Sequence, residues 1–327
     1  MDFGFFDNNL TLSTEYYKKD IENLLVDVPI PSSNGTNVPV TQNAGALENS
    51  GFEILLNYKN NNNDFKYKIG LNLATQSSTL TSVPSQFFGP SVNEGIESDQ
   101  SQINSDPNRA NDPNISALSP GDFIKRDING DGIVDSDDQT ILGSPVPDFT
   151  YGINFSGEYK NFDFSVFFNG VSGNEVYNQA RNFNTLSADG NKLVDVLDRW
   201  SPQNLTGSLP RPTSTDPGLN RSASSFFVED GSYLRLQNLT VGYNLTDLIG
   251  SDWINKMRIS LTGQNLFVIT NYNGYDPDVA STNGARSNEN DGFFGFRPSV
   301  NSITGRGIDI RAYPRATSII FGLEVGF

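Results

Sequence analysis

Apolar and polar residues alternate along several short stretches of the chain. In residues 65–74 every second position is Phe, Tyr, Ile or Leu, and Lys, Gly or Asn fill most of the positions between them. Successive side chains of a β-strand point to opposite sides, so this pattern predicts a strand with one apolar face. The same alternation occurs in segments 151–159, 162–170, 239–245 and 257–263.

Further strands are predicted around residues 10–24, 46–58 and 313–327, with the end of another at residues 3–6. About eight full strands are therefore expected. Residues 192–200 are the one stretch that has the pattern of a helix.

The connections between these strands alternate in length. Short polar turns at 7–9, 60–64 and 160–161 take turns with stretches of roughly 79–147, 172–230 and 271–312. Loops of that length are uncommon in compact soluble domains. Strands of about ten residues with short turns at one end and long loops at the other are typical of a transmembrane β-barrel.

Alternation alone leaves a second fold open. In a soluble β-sandwich each strand also has one apolar face, which packs against another sheet instead of lipid. The end of the chain favours the barrel, since apolar residues alternate with small or polar ones from Ile319 to the terminal Phe327. A closing aromatic of this kind resembles the C-terminal strand of bacterial outer-membrane barrels.

Composition removes several classes of chemistry. The chain has 327 residues, a formal net charge of -16, and no histidine or cysteine. Catalytic triads, thiol nucleophiles and zinc sites depend on imidazole or thiolate and are excluded. Nucleic-acid binding needs clustered Lys and Arg, so no such partner is expected. Adjacent carboxylates such as Glu229 and Asp230 would point to opposite faces of a strand, and we predict no catalytic residue.

The acidic segment DINGDGIVDSDD, Asp127–Asp138, has the spacing of an EF-hand-type calcium loop. Gly132 stands where such a loop turns sharply. The predicted Ca²⁺ ligands are Asp127, Asn129, Asp131, Ile133 through its carbonyl, Asp135 and Asp138. Asp138 replaces the longer bidentate Glu usual at the last position, so a solvated turn without metal is the alternative. No helix pair flanks the segment, and we therefore expect calcium to order a loop rather than to signal.

Several segments occur in the order of one protein family. Residues 43–54, NAGALENSGFEI, resemble a barrel motif of TonB-dependent outer-membrane receptors. Segments 198–212, 228–245, 262–279 and 313–327 resemble the C-terminal part of the SusC/RagA branch, and the acidic segment occupies the same place in that branch. The resemblance covers nearly the whole chain.

This resemblance implies a function and a location. Members are barrels in the Gram-negative outer membrane that take up oligosaccharides or peptides, draw energy from the TonB system, and work with a SusD-like surface lipoprotein. We therefore expect an all-β, antiparallel transmembrane β-barrel segment surrounded by outer-membrane lipid, formed by residues 1–327 without the N-terminal plug. Residues 79–147 would be a long extracellular loop. The alternative is a secreted calcium-binding β-sandwich that acts as an adhesin or a carbohydrate-binding module.

Overall fold

The computed structural model describes eleven stretches of the chain: 1–28, 40–61, 63–82, 93–96, 100–186, 191–213, 216, 218–249, 253–279, 307–310 and 313–327. The strands are β1 (Asp2–Phe5), β2 (Leu10–Val28), β3 (Val40–Asn60), β4 (Phe65–Ser82), β5 (Asn93–Ile96), β6 (Phe123–Lys125), β7 (Phe149–Tyr159), β8 (Phe162–Ser172), β9 (Glu175–Asn178), β10 (Val228–Asp230), β11 (Tyr233–Asn244), β12 (Lys256–Thr270), β13 (Ile308–Asp309) and β14 (Ser318–Gly326). The α-helices are α1 (Gln100–Ser105), α2 (Gln179–Leu186) and α3 (Thr246–Ile249).

One antiparallel sheet dominates the described residues. Its nine strands lie in the order β1-β2-β3-β4-β7-β8-β11-β12-β14, and β1 and β14 are its edges. Each strand therefore pairs with the next long strand along the chain. The prediction of about eight full strands and the end of another is confirmed.

Strand boundaries and the predicted helix differ from the expectation. β2 and β3 are longer than expected, at 19 and 21 residues, and the last strand begins at Ser318. The helix predicted at 192–200 is wrong, because only Val194–Asp198 are helical, as a 3₁₀ turn. Leu193 offers no side-chain cap there, and both Val194 and Leu197 are exposed. A helix without a cap or a buried apolar face has little to stabilise it.

The register gathers the apolar residues on one face of the sheet. A single row across seven strands consists of Leu12, Leu56, Leu71, Ile153, Phe168, Leu236 and Phe267. Ile319 and Phe321 on the same face of β14 are 74% and 70% exposed, and no second sheet among the described residues packs on this face. The sandwich alternative is therefore wrong, since it would bury these side chains.

The opposite face is polar. One of its rows runs through Lys66, Glu158, Asp163, Gly242, Ser260 and Gly322. Thr240 and Thr262 share a hydrogen bond of 2.9 Å on this face, and ion pairs join Asp163 to Arg258 and Glu324 to Lys256. A barrel with lipid outside and a polar interior requires this division of the two faces.

The two ends of the sheet differ in their connections. Short turns at 6–9, 61–64 and 160–161, together with the connection 245–255, define the short-turn end. The connections 83–148, 173–232 and 271–317 define the long-loop end. Lys160 has a φ of 54°, as a tight two-residue turn between β7 and β8 requires. No helix in the described residues has the length and apolar character needed to cross a membrane.

Candidate functional site

The long connections fold together into a small unit, here called the loop cap. It comprises the described parts of 93–148, 173–231, 271–279 and 307–310. Strand β9, from the second long connection, pairs antiparallel with β10 and parallel with β13 from the third. Main-chain hydrogen bonds thus join two loops that are far apart in the sequence.

The loop cap has an aromatic core of its own. Phe123 from the first connection packs with Leu186 and Phe227 from the second, and all three are buried. The ring of Phe226 lies 4.9 Å from that of Phe123, and the Arg181 guanidinium lies 4.9 Å from the same Phe226 ring. Large aromatic side chains supply the apolar area that keeps long loops ordered.

A buried carboxylate joins the first two long connections. Asp122 is fully buried and accepts hydrogen bonds from Arg211 Nε at 2.8 Å and Nη2 at 3.1 Å. Asn220 Nδ2 donates to Asp122 at 2.9 Å, and Asn220 Oδ1 accepts from the backbone N–H of Phe123 at 2.8 Å. A buried charge with this many partners is compensated, whereas removal of one partner is costly.

Lys125 is a second buried charge in the loop cap. Its ammonium donates to the Leu219 carbonyl at 2.9 Å and to the Ser222 hydroxyl at 2.7 Å. Burial, reinforced by the nearby Arg109, lowers the pKa of Lys125 to about 8, against a smaller opposing effect of Asp216. Its charge is therefore partly lost at mildly alkaline pH.

The third long connection is attached to the polar face of the sheet. Arg235 of β11 donates to Asp276 at 2.5 Å, and both side chains are buried. The Tyr272 hydroxyl donates to Asp309 at 2.6 Å. Burial, together with this hydrogen bond to Asp309, raises the pKa of Tyr272 well above its ordinary value, so the phenol stays protonated.

The acidic segment forms a tight loop within the cap. Asp127 accepts hydrogen bonds from the N–H groups of Gly130 and Gly132, each at 2.6 Å. Both glycines have a φ of 80°, which L side chains rarely adopt. Asn111 holds the loop from outside by donating to the Asp131 carbonyl at 2.6 Å.

Asp138 closes the acidic loop. It is fully buried and accepts from the N–H groups of Ile128 at 2.7 Å, Asn129 at 3.3 Å and Asp135 at 2.9 Å. Burial acts to raise the pKa of Asp138, but these hydrogen bonds outweigh it and the pKa is lowered. The carboxylate is therefore charged at neutral pH.

The predicted ligands Asp127, Asn129, Asp131, Ile133, Asp135 and Asp138 all belong to this loop. Their oxygens mainly accept hydrogen bonds from the loop's own backbone. Within the described ranges, no group of three or more Asp, Glu, His or Cys side chains is arranged to hold a metal ion. Calcium binding at this loop stays a prediction.

A cavity of about 350 Å³ lies at the base of the loop cap, with Asn174, Glu175, Glu229 and Asp230 among its lining residues. Hydrogen bonds from Ser232 lower the pKa of Asp230. The polar side chains around the cavity are mostly acceptors, so a ligand there would have to donate hydrogen bonds.

The buried ion pairs within the loop cap and between the cap and the sheet were not predicted. Asp122 and Arg211 are 89 residues apart, and Arg235 and Asp276 are 41 residues apart. Residues this far apart in the sequence do not form a motif with a recognisable spacing. The acidic loop, in contrast, is contained within twelve consecutive residues and could be recognised from the sequence.

Comparison with known proteins identifies the family. Residues 1–266 match the family model described as TonB dependent receptor-like, beta-barrel. The chain belongs to this family of TonB-dependent receptors. It is a barrel portion that is similar to receptors of the SusC/RagA type, and it is located in the outer membrane. Receptors of this family are transporters and not enzymes.

Individual relatives agree with this assignment. The chain is 33% identical to TonB-dependent receptor P3 of Formosa agariphila over 93% of its own length and 32% of the relative. It is 27% identical to TonB-dependent receptor SusC of Bacteroides thetaiotaomicron over 100% of its length and 31% of the relative. The chain thus spans about a third of the relatives it matches.

A solved structure of the RagAB peptide transporter has the same fold. It superposes with a TM-score of 0.70 at 19% identity, over 100% of this chain and 34% of the other. The nine-stranded sheet is therefore part of a larger barrel wall.

Proposed function

We propose that this chain supplies barrel wall and extracellular loops to a transporter that imports oligosaccharides or peptides across the outer membrane. The observation that carries the proposal is the loop cap at one end of the wall. Its first two connections share a core and a buried ion pair, and the third is held by strand pairing with β9 and by a buried ion pair with β11. A purely structural barrel would need no folded polar unit there. Long loops that keep a fixed shape are suited to ligand recognition.

The loop cap is the extracellular end in this proposal, and residues 83–148, which contain the acidic loop, are a long extracellular loop. A SusD-like lipoprotein would cover the cap and deliver substrate, and the TonB system would provide energy through the same protein. The names of two relatives, SusC and RagAB, support this type of transporter. RagAB is described as a peptide transporter, and we leave both substrate classes in the proposal.

Substrate depletion in the native cell tests the proposal. Cells with and without the intact receptor are grown on defined mixtures of oligosaccharides or peptides, and mass spectrometry follows which compounds disappear. We expect one class to be depleted only by cells with the receptor, and this depletion to stop when a protonophore is added. Equal depletion by both strains would disprove the function.

A pair of variants connects uptake to the loop cap. Phe227→Ala removes a fully buried ring of the cap, and Leu205→Ala removes a side chain that is exposed on the same connection. Only the first variant is expected to reduce uptake and the amount of surface lipoprotein that co-purifies in mild detergent. If uptake is unchanged while the cap is unfolded, the cap takes no part in import.

We also propose that the acidic loop binds one Ca²⁺ ion and that the ion orders the long extracellular loop 83–148. Hard cations prefer carboxylate, amide and carbonyl oxygens, which this segment supplies at the required spacing. Each backbone N–H occupies one lone pair of a carboxylate oxygen, so further lone pairs are available to a cation. Neighbouring carboxylates also repel one another less when a cation lies between them.

Calorimetric titration of the intact protein with Ca²⁺ tests this site. Asp135→Asn replaces a proposed carboxylate ligand by a neutral amide, and Asp137→Asn removes the same charge from a position that is not a proposed ligand. We expect heat of binding in the wild type and in Asp137→Asn, and a strong loss in Asp135→Asn. An absence of heat together with unchanged protease sensitivity of residues 127–138 would end the calcium proposal.

A further inference from the structure

Two carboxylates that line the cavity at the base of the loop cap have no cation beside them. Glu175 of β9 and Asp230 of β10 are direct partners in the antiparallel pairing of these strands, so their side chains lie on the same side of the small sheet. Neither forms an ion pair with any residue that the structure describes. The third acidic residue of the cavity, Glu229, is paired with Arg181 at 3.1 Å. Like charges directly opposite each other in a sheet repel, so Glu175 and Asp230 lack compensation.

Hydrogen bonds hold both carboxylates in place. The Ser144 N–H donates to Glu175 Oε2 at 2.7 Å, and the Ser232 N–H donates to Asp230 Oδ1 at 2.9 Å. Hydrogen bonds from Ser232 lower the pKa of Asp230, which is therefore ionised at neutral pH. An ionised carboxylate offers about four acceptor positions, so both groups can accept further bonds from a ligand.

Asn174 supplies a third acceptor to the same cavity. Its side chain is only 9% exposed, and its Oδ1 atom has no hydrogen-bond partner. Its carbonyl accepts from the Gly231 N–H at 2.8 Å, and a Cβ atom on Gly231 would lie 2.4 Å from Asn174 Nδ2. The amide group therefore lies against the residue that follows Asp230. A buried amide oxygen without a partner is costly, and a donor bound in the cavity would remove this cost.

A primary ammonium group has the chemistry that this cavity lacks. It carries one positive charge and three N–H donors, which suit two carboxylates and an amide oxygen. A sugar hydroxyl is neutral and would leave the two carboxylates uncompensated. A bare metal ion is less suited, because no group of three or more Asp, Glu, His or Cys side chains in the described residues is arranged to hold one. Leu142 and Val228 also line the cavity and offer apolar surface to the carbon atoms that carry the ammonium.

We propose that Asn174, Glu175 and Asp230 bind a primary ammonium group of the imported substrate. This inference rests on the proposed import function and narrows its substrate class. Peptides carry an α-ammonium and the ammonium of lysine, whereas oligosaccharides carry one only where an amino sugar is not acetylated. The cavity lies where the chain leaves β8 at Gly173 and approaches β11 after Asp230. In the proposed orientation this is the extracellular rim of the wall.

Competition between free and blocked amines tests the site. The intact receptor, immobilised in mild detergent, is incubated with equal amounts of three forms of one protein digest: unmodified, acetylated on lysine only, and acetylated on every amine. Mass spectrometry compares the retained peptides. We expect peptides with a free amine to be enriched about tenfold over their fully acetylated forms, a typical effect of a charged hydrogen bond. The lysine-blocked form shows whether the α-ammonium is sufficient. A parallel incubation with glucosamine oligomers and their N-acetylated forms tests amino sugars as the source.

Two isosteric substitutions connect this enrichment to the cavity. Glu175→Gln and Asp230→Asn remove the charges and keep oxygens that accept the bonds from Ser144 and Ser232. The double variant should retain free and acetylated forms equally. Asp198→Asn is the matched control, because Asp198 is an exposed carboxylate on the same connection that does not line the cavity. If the double variant does not fold, the wild type at pH 10 gives a second test, since an α-amine with a pKa of about 8 is then uncharged and its enrichment should disappear.

Three results would overturn the ammonium site. Equal retention of free and acetylated forms by the wild type, or retention of neither, would do so and would leave the import function to the depletion experiment, which does not depend on this cavity. Enrichment that persists in the double variant would place the ammonium elsewhere. Calcium binding that is present in the wild type and lost in the double variant would show that the cavity holds a metal ion instead.

Discussion

Arg258 on β12 reaches across the intervening strand β11 to Asp163 on β8. Its Nε and Nη2 atoms donate to the two carboxylate oxygens at 2.9 and 2.5 Å. Gly242 of β11 lies between them, and a Cβ atom there would stand 2.3 Å from Arg258 Nη2 and 2.4 Å from Asp163 Oδ2. Three strands of the wall are thus joined on the polar face only because the middle residue has no side chain.

Gly242→Ala is therefore expected to push this ion pair apart. The two side chains are partly exposed, so the loss in free energy of unfolding should be about 1 kcal/mol or less. Urea unfolding followed by circular dichroism measures it. In an Arg258→Met background the same substitution should cost nearly nothing, and an equal loss in both backgrounds would show that the glycine acts through something else.

The buried pair of Arg235 and Asp276 should behave very differently. Asp276→Ala leaves a buried guanidinium without its partner, which typically costs about 3–5 kcal/mol. We expect peptide 271–279 to exchange its amide hydrogens rapidly, as measured by mass spectrometry. Glu324→Ala is the control, because its ion pair with Lys256 is 53% exposed on each side and should contribute about 0.5 kcal/mol at most.

Truncation of Phe227 should unfold the loop cap without unfolding the sheet. Replacing a buried Phe by Ala typically costs about 3–5 kcal/mol, and this ring belongs to the core of the cap, not to the wall. Hydrogen exchange should rise in peptides from 175–186 and stay low in peptides from β7 and β8. Equal exchange in both regions would show that cap and wall form one cooperative unit.

Lys125 should make the loop cap more stable at alkaline pH. The pKa of Lys125 is about 8 in the folded protein, whereas its ordinary value is 10.5. Between these two pH values the unfolded chain binds more protons, so stability rises with pH. The gap corresponds to an upper bound of about 3 kcal/mol. Below pH 8 both states are protonated and the full penalty applies.

Urea unfolding of the cap at pH 7.5 and 9.5 measures this effect. The signal is the fluorescence of Trp200, obtained by subtracting the spectrum of Trp200→Phe from that of the wild type. Lys125→Met removes the charge and should be more stable than the wild type at pH 7.5, with a smaller rise toward pH 9.5. If both proteins show the same pH dependence, another group is responsible.

Local patterns were sufficient for the strands. A period of two indicates a strand whatever its neighbours are, so the segments 151–159 and 162–170 were predicted close to their observed bounds. The segment 65–74 was also correctly predicted as a strand, but the observed strand β4 continues to Ser82. The polar turn at 160–161 followed from the same reasoning, because a two-residue hairpin depends only on adjacent residues. The prediction of a helix at 192–200 was wrong, because such a helix would have been stabilised only by contacts that the chain does not make.

The sequence by itself determined the alternation of faces, the order of short and long connections, the acidic loop and the family resemblance, all of which are properties of neighbouring residues or of their order. The tertiary structure decided which distant residues meet. Only the register of β8, β11 and β12 brings Asp163 to Arg258 across Gly242, and only the folding of two loops buries Asp122 against Arg211. Such contacts join positions tens of residues apart, and their energies depend on burial, which no local pattern records.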